Sequence, residues 1–111
     1  RQSGKPVSIF GSGEQTRDFT HVDDVGVANI LALESANVGR GEVINVGAGS
    51  PVSVNKIARM ITGETLYLPA LPGEIMHSRA DFLKTKKLLG WQPTVSFEQG
   101  LTELKKIHRL N

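Results

Sequence analysis

Arg17 is the residue whose type and position suggest a definite chemistry. It follows a glycine-rich turn at 11–13 and lies in a segment that favours a strand. The planar guanidinium group of arginine can donate two parallel hydrogen bonds to phosphate oxygens. An exposed ion pair with Glu14, Asp18 or Asp23 is the simpler alternative, and the sequence around Arg17 does not exclude it.

Other residue combinations that could support catalysis or metal binding have structural explanations. His21, Asp23 and Asp24 could hold a divalent cation, but their spacing is not a known metal signature, and aspartates favour helix starts. The residue four positions after the single tyrosine, Tyr67, is Leu71, so no Tyr-x-x-x-Lys acid–base pair is present. There is also no cysteine and no Gly-x-Ser-x-Gly motif. We therefore predict neither catalytic residues nor a metal site in this chain.

Two glycine pairs, Gly11-x-Gly13 and Gly47-x-Gly49, could bring backbone amides close to phosphate. A dinucleotide-binding loop needs a third glycine that enters a helix directly after a strand, and neither pair has one. Tight turns explain both pairs. We therefore predict no cofactor-binding residues in this chain.

Composition restricts the class of protein further. The chain has 111 residues, 39% of them hydrophobic and 22% charged, which is typical of one globular domain. The net charge of +2 is too small to require nucleic acid or a membrane as partner. The absence of cysteine favours a cytoplasmic location, and the Arg1 start suggests a piece of a longer protein. The hypothesis of a nucleic-acid-binding domain would rest only on the basic residues of two helices: Lys84, Lys86, Lys87, Lys105, Lys106 and Arg109. The opposite faces of both helices are apolar.

The pattern of the chain predicts a mixed α/β fold with about four helices and several short strands. Short apolar or β-branched runs predict strands at 7–10, 42–46 and 65–68, and residues 17–22 could pair with 7–10 in a hairpin-like arrangement. Pro69 to Glu74 cannot be helical and should lie on the surface or line a cleft. Some of the strands would complete a sheet with residues outside this chain.

Four helices are predicted from capping residues and apolar periodicity. The first runs from 23 to about 36, the second follows Ser53, the third spans 81–89 and ends at Gly90, and the fourth begins with a capping box at Ser96 and Gln99. Trp91 should pack back on the core. The inward faces are predicted to carry Val27, Ile30, Leu31 and Leu33 in the first helix, Val54, Ile57, Ala58 and Ile61 in the second, and Phe97, Leu101, Leu104 and Ile107 in the fourth.

Residues 11–25, Gly-Ser-Gly-Glu-Gln-Thr-Arg-Asp-Phe-Thr-His-Val-Asp-Asp-Val, resemble the motif that opens the C-terminal part of extended short-chain dehydrogenase/reductase enzymes, the NAD-dependent epimerases and dehydratases of nucleotide sugars. Three further motifs follow in the family's order: Asn45-Val46-Gly47 with Ser53, Pro72-Gly73-Glu74 with Ala80-Asp81, and Leu89-Gly90-Trp91. The resemblance covers essentially all of the chain and roughly the last third of a family member. It is closer to UDP-glucose 4-epimerases than to dTDP-glucose 4,6-dehydratases or UDP-glucuronate decarboxylases.

The resemblance implies a role in substrate binding for four residues. Arg17 would bind the diphosphate of a nucleotide sugar, Glu74 would accept hydrogen bonds from the nucleotide ribose, and the strand at Ile9 and Phe10 would border the base. Each role suits the residue type, because a carboxylate accepts hydrogen bonds from a diol and a strand presents backbone groups to a base.

One position departs from the family pattern. Leu71 stands where the family usually has an arginine directly before Pro-Gly-Glu, and that arginine is a second cation on the diphosphate. A charged hydrogen bond contributes about 1.5–3 kcal/mol, so its loss would weaken binding roughly ten- to a hundredfold. Arg79 is the nearby candidate to replace it.

The resemblance also implies what this chain lacks. Residues 1–111 would form the C-terminal nucleotide-sugar-binding portion, and an absent N-terminal Rossmann lobe would bind NAD and carry the Tyr-x-x-x-Lys pair. The partners would be that lobe and the nucleotide sugar, in a cytoplasmic homodimer of galactose metabolism that interconverts UDP-glucose and UDP-galactose. The fragment alone would be inactive. The alternatives are part of a 4,6-dehydratase or decarboxylase, or a non-catalytic nucleotide-sugar-binding module.

Overall fold

A computed structural model of the chain describes residues 5–61 and 64–108. Arg1 and Arg109 lie outside the described residues. The described elements confirm the predicted mixed α/β fold with four helices. In chain order they are β1 (Val7–Phe10), β2 (Thr16–Arg17), α1 (Val22–Glu34), β3 (Val52–Ser53), α2 (Val54–Ile61), β4 (Thr65–Leu68), α3 (Leu83–Leu89) and α4 (Phe97–Ile107).

The strands form two small sheets. β1 pairs with β4 in parallel, in a register that places Val7 opposite Thr65, and β2 pairs with β3 antiparallel. The predicted hairpin-like pairing of 7–10 with 17–22 is therefore wrong. The turn between them is held by α2 instead, because the backbone N–H of Asn55 donates to Gly13 O at 2.9 Å and its side chain donates to Ser12 O at 3.0 Å. These contacts direct the chain away from β1.

The predicted buried strand at 42–46 is also wrong for the described part of the chain. These residues belong to no strand ladder there, and Val43 is 79% exposed. Lys84 Nζ donates to Val43 O at 2.7 Å, and the Thr85 hydroxyl donates to Asn45 O. A β-branched segment becomes a strand only beside a neighbour that satisfies its backbone groups, and none of the described residues supplies one.

Helix α1 begins at Val22 and ends at Glu34, close to the predicted bounds, but it is capped by His21, whose Nδ1 accepts a hydrogen bond from Asp23 N at 3.3 Å. Its predicted inward face is wrong. Ala28 is buried and Leu31 is half-buried, whereas three of the four predicted core residues are exposed: Val27, Ile30 and Leu33. The narrow buried stripe of α1 carries Asp24 and Ala28, so the apolar stripe remains uncovered by the described residues.

The caps of the other helices agree with the predictions more closely. Ser53 Oγ accepts from Lys56 N at 3.2 Å, and Gly90 ends α3 with a φ of 66°, in the left-handed region that favours glycine. Ser96 and Gln99 form the predicted capping box. Helix α3 starts at Leu83, two residues later than predicted.

The predicted buried faces of α2 and α4 are confirmed only in part. In α2, Ala58 is buried and the other three predicted residues are half-buried. In α4, Phe97 and Leu101 are half-buried, while Leu104 and Ile107 are exposed. Leu104 and Ile107 at the end of α4 show that an apolar stripe in the sequence does not by itself predict which residues, if any, pack against it. No helix within the described ranges has the length and apolar character that crossing a membrane requires.

Trp91 and Asp24 hold the core together. Trp91 is 2% exposed, packs edge-on against Phe82 at a ring-centroid distance of 5.6 Å, and donates from Nε1 to Asp24 O at 2.9 Å. Asp24 lies in the first turn of α1, as expected of an aspartate at a helix start, but its carboxylate hydrogen-bonds outside the helix. It accepts from the hydroxyl and backbone N–H of Thr94 at 2.7 and 3.0 Å and from Val95 N at 3.0 Å. The two residues therefore join α1 to the segment that connects α3 with α4.

The titration of Asp24 predicts a loss of stability in acid. Burial raises the pKa of Asp24, but the Thr94 hydroxyl, the N–H groups of Val95 and Thr94 and the charge of His21 lower it, and the net pKa lies below the ordinary 3.8. Because the folded pKa is lowered, the stabilisation is complete above pH 3.8 and is lost as the pH falls through the folded value.

We expect the free energy of unfolding of wild type, measured by urea denaturation, to fall as the pH drops below about 4. Asp24→Asn should make this dependence shallower and cost about 1–3 kcal/mol at neutral pH, because buried donors lose a charged acceptor. Asp23→Asn is the matched control, since the Asp23 side chain is exposed. Equal acid sensitivity in wild type and Asp24→Asn would contradict the role given to Asp24.

Candidate functional site

The structure brings Arg17 and Glu74 together although they lie 57 residues apart in the sequence. Arg17 Nη2 is 3.4 Å from Glu74 Oε1, and the two side chains are 34% and 26% exposed. The ion pair is therefore made with Glu74, and not with Glu14, Asp18 or Asp23, the partners that the sequence suggested. Both groups lie side by side with part of each accessible to solvent.

The strand that carries Arg17 holds the loop that carries Glu74. Thr16 N donates to Met76 O at 2.8 Å, and Ser78 N donates to Thr16 O at 3.2 Å, so the loop runs parallel to β2 at this point. The Thr16 hydroxyl also lies 3.0 Å from His77 Nδ1. These contacts determine where Glu74 lies relative to Arg17.

A turn at 71–74 directs Glu74 back toward β2. Gly73 has a φ of 79°, which favours glycine, and Glu74 N donates to Leu71 O at 3.3 Å. The predicted absence of helix from Pro69 to Glu74 is confirmed, and Leu71 lies exposed on the surface.

Gln15 is the site residue that the sequence analysis missed. It is only 4% exposed, and its Nε2 donates to Phe10 O at 2.8 Å and to Glu74 Oε1 at 3.3 Å. Glutamine is uncharged, so its charge could not mark it as a site residue in the sequence. The one sequence signal was its position two residues before Arg17. Burial of this polar side chain is acceptable because its N–H groups are bonded.

The end of β1 presents a backbone edge next to Glu74. Val7 N and Gly11 N donate to the β4 side, so the alternation of the strand directs the N–H groups of Ser8 and Phe10 to the opposite edge. The Phe10 side chain is 41% exposed, whereas the Ile9 side chain is 1% exposed. Phe10 and the backbone are thus the parts of this strand that a ligand can reach.

Asp18 connects the two loops that contain Gly49 and Ala80. The sequence analysis missed this role as well. Asp18 Oδ2 accepts from Gly49 N and Ala80 N, both at 2.8 Å, and a Cβ on Gly47 would collide with Ala80. Its other oxygen, Oδ1, is buried and has no hydrogen-bond partner among the described residues. The position of Asp18 directly after Arg17 was the available signal.

The glycine pairs are turns, as predicted. Gly11 and Gly13 have φ values of 73° and 75°, and the chain continues into β2 and not into a helix. Gly49 N already donates to Asp18, and the space beside Gly47 is filled by Ala80. Neither glycine pair therefore has the strand-to-helix geometry of a dinucleotide-binding loop.

Within the described residues, neither Arg79 nor His21 hydrogen-bonds to Arg17 or Glu74. Arg79 is exposed and lines a surface pocket with the four residues that follow it, Ala80 to Leu83. His21 caps α1 through Nδ1, and its Nε2 lies 3.3 Å from Glu103 Oε2, so both ring nitrogens have a partner among the described residues. No cluster of three potential metal ligands occurs within residues 5–61 and 64–108.

The arrangement around Arg17 is suited to recognition. It combines a cation for an anionic group, a carboxylate that can accept from hydroxyl groups, and an open strand edge that can bond a planar heterocycle. The Tyr67 hydroxyl donates to Asn55 Oδ1 at 3.0 Å, and the Asn55 side chain in turn donates to Ser12 O in the turn after β1. The geometry therefore describes a binding surface that comprises three chemically different contacts.

Known proteins show the same sequence and fold features. Residues 1–47 match the model of the NAD dependent epimerase/dehydratase family. The chain belongs to this family, whose cofactor is NAD, and it has the fold of the C-terminal part of the extended short-chain dehydrogenase/reductase epimerases. The resemblance stated from the motifs is thereby confirmed.

Among curated relatives, a UDP-glucuronate 4-epimerase of Thermodesulfobacterium geofontis is 38% identical over 87% of this chain and 31% of its own length. UDP-glucuronic acid decarboxylase 1 of Xenopus tropicalis is 36% identical over 95% of this chain and 25% of its own length. The chain therefore spans about a third or less of these relatives.

Solved structures agree closely. The UDP-glucose 4-epimerase of Thermotoga maritima with UDP-glucose has a TM-score of 0.84 and 42% identity, covering 96% of this chain and 36% of that one. MoeE5 in complex with UDP-glucuronic acid and NAD also has a TM-score of 0.84, with 36% identity, covering 96% of this chain and 38% of that one. Both solved structures therefore share the fold of this chain over almost its entire length.

Proposed function

We propose that this chain is the nucleotide-sugar-binding part of an NAD-dependent sugar-nucleotide 4-epimerase, with UDP-glucose and UDP-galactose as the preferred substrates. The observation that carries the proposal is the placement of Arg17 beside Glu74, both partly open to solvent, next to the edge of β1 that faces away from β4. UDP-sugars bound to structurally similar proteins support the substrate class.

Each contact in the site has a role in this proposal. Arg17 binds the diphosphate, Glu74 accepts from the ribose hydroxyls, and the backbone at Ile9 and Phe10 borders the base. Epimerisation at a sugar carbon requires that the sugar present both faces to the reacting groups. Strong contacts to the nucleotide and weak contacts to the sugar satisfy that requirement, because the anchor stays in place while the sugar turns.

Arg79 is proposed as the second cation on the diphosphate, in place of the arginine absent at Leu71. Its exposed position in the segment that hydrogen-bonds to β2 at Ser78 leaves its side chain free to turn toward a ligand. The experiment on Arg17 described below includes it.

The similarity to a UDP-glucuronic acid decarboxylase supports a second candidate, in which the same nucleotide site serves decarboxylation of a UDP-sugar acid. The two candidates share the contacts of Arg17 and Glu74 and differ only at the sugar.

The rest of such an enzyme would bind NAD and supply the acid–base pair. We propose that an N-terminal lobe covers the apolar stripe of α1 and pairs with residues 42–46, because Val27, Ile30, Leu33 and Val43 expose apolar side chains. Burying Val27, Ile30 and Leu33 would contribute to holding the two parts together. The cytoplasmic location and the homodimer stay predictions.

The test uses the complete protein and a panel of UDP, dTDP and GDP in isothermal titration, followed by assays of epimerisation and decarboxylation with UDP-sugars. We expect preferential binding of UDP and epimerisation of UDP-glucose by the complete protein. The 111-residue chain, which lacks the predicted acid–base pair, should give no turnover even with added NAD. Turnover by this chain alone, or no binding of any nucleotide by the complete protein, would contradict the proposal.

A further inference from the structure

Gln15 joins two parts of the site that are far apart in the sequence. Its Nε2 has two hydrogens, and the structure uses both: one for Phe10 O at the end of β1, and one for Glu74 Oε1 at the end of the 71–74 turn. The side chain is 4% exposed, so the amide acts from behind the binding surface and does not itself form part of the surface.

The contacts of Gln15 also determine which oxygen of Glu74 a ligand can use. Oε1 accepts from Gln15 at 3.3 Å and from Arg17 at 3.4 Å. No donor among the described residues hydrogen-bonds to Oε2. The Glu74 carboxylate is thus held through Oε1 and presents Oε2 to a ligand.

We propose that Gln15 is a positioning residue that holds the strand edge at Phe10 and the carboxylate of Glu74 at a defined spacing, and thereby determines affinity for the nucleoside part of the ligand. This inference rests on the proposed function. Gln15 hydrogen-bonds to none of the three side-chain nitrogens of Arg17 and is linked to it only through Glu74 Oε1, so the diphosphate contact depends on Gln15 much less.

Gln15→Glu is a sharp test because it preserves shape, removes both donors and places a carboxylate against Phe10 O and Glu74. In the complete protein we expect the Kd of UDP to rise about tenfold, since hydrogen bonds to a charged group are lost. Gln15→Met removes the same donors without adding charge, and for this variant the Kd of inorganic pyrophosphate should change less than about twofold, because that probe has no nucleoside. The control for Gln15→Glu is Gln92→Glu, the same substitution at an exposed glutamine.

A double-mutant cycle separates positioning from a general effect on folding. In Gln15→Glu with Glu74→Gln, donor and acceptor exchange places, so the hydrogen bond between the two side chains can form again. We expect the rise in the Kd of UDP in the double variant to be smaller than the product of the two single rises, because the contact between the two side chains is restored and the contact with Phe10 O is not. If Gln15→Glu does not fold, Gln15→Met alone provides the comparison of UDP with pyrophosphate.

The failure of this inference differs from the failure of the proposed function. If wild type binds UDP and the Gln15 variants bind it equally well, or if Gln15→Met loses UDP and pyrophosphate to the same extent, Gln15 does not position the nucleoside contacts. A rise in the Kd of UDP in the double variant that equals the product of the two single rises would also contradict the role given to Gln15. If wild type binds neither UDP nor pyrophosphate, it is the proposed function that fails.

Discussion

Arg17→Ala should raise the Kd of UDP for the complete protein about ten- to a hundredfold, which makes it the largest single effect on binding that we expect. A hydrogen bond between a guanidinium and a phosphate is charge-assisted and contributes about 1.5–3 kcal/mol, and alanine removes it entirely. The loss should be largest for ligands with a diphosphate and small for uridine, which has no phosphate. Isothermal titration with UDP, UMP and uridine measures this gradient.

Arg17→Lys is the matched variant, because it keeps the charge and loses the planar fork. We expect it to bind UDP with an affinity between those of wild type and Arg17→Ala. Arg79→Ala belongs in the same series: a weaker affinity supports its role as second cation, and an unchanged affinity removes Arg79 from the site. Equal binding of UDP by wild type and Arg17→Ala would contradict the assignment of Arg17 to the diphosphate.

Trp91→Ala should have the largest effect on stability, a loss of about 3–5 kcal/mol in the free energy of unfolding. The indole is buried, contacts Phe82 edge-on and donates to the backbone of α1 at Asp24 O. Alanine leaves a cavity at this junction and removes the hydrogen bond from the indole to Asp24 O. Urea denaturation of the 111-residue chain, followed by circular dichroism, measures the loss.

Two further variants test the cause of that loss. Trp91→Phe keeps an aromatic ring beside Phe82 and loses the hydrogen bond, so a smaller loss is expected than with alanine. Leu33→Ala is the exposed control, since Leu33 is 87% exposed, and its effect should stay within about 0.5 kcal/mol. A loss after Trp91→Ala no larger than that of the Leu33 control would show that Trp91 does not hold the core together.

The local features of the fold were predictable because short-range interactions determine them. A serine and a glutamine three residues apart form the capping box of α4, Gly90 ends α3, and the apolar runs at 7–10 and 65–68 become β1 and β4. Burial was predicted less well. The apolar stripe of α1 and the segment at 42–46 have no cover among the described residues, and apolar residues indicate only that a partner surface is favourable.

The sequence by itself determined the chemistry available at the site and, through four ordered motifs, the family. It indicated a phosphate-binding arginine, an accepting glutamate and a strand that ends in a glycine turn. Only the tertiary structure decided that Arg17 and Glu74 are neighbours and that a buried Gln15 joins Glu74 to Phe10. The physical reason is that these contacts depend on the docking of residues 76–78 along β2, an interaction between segments about sixty residues apart that no local periodicity encodes.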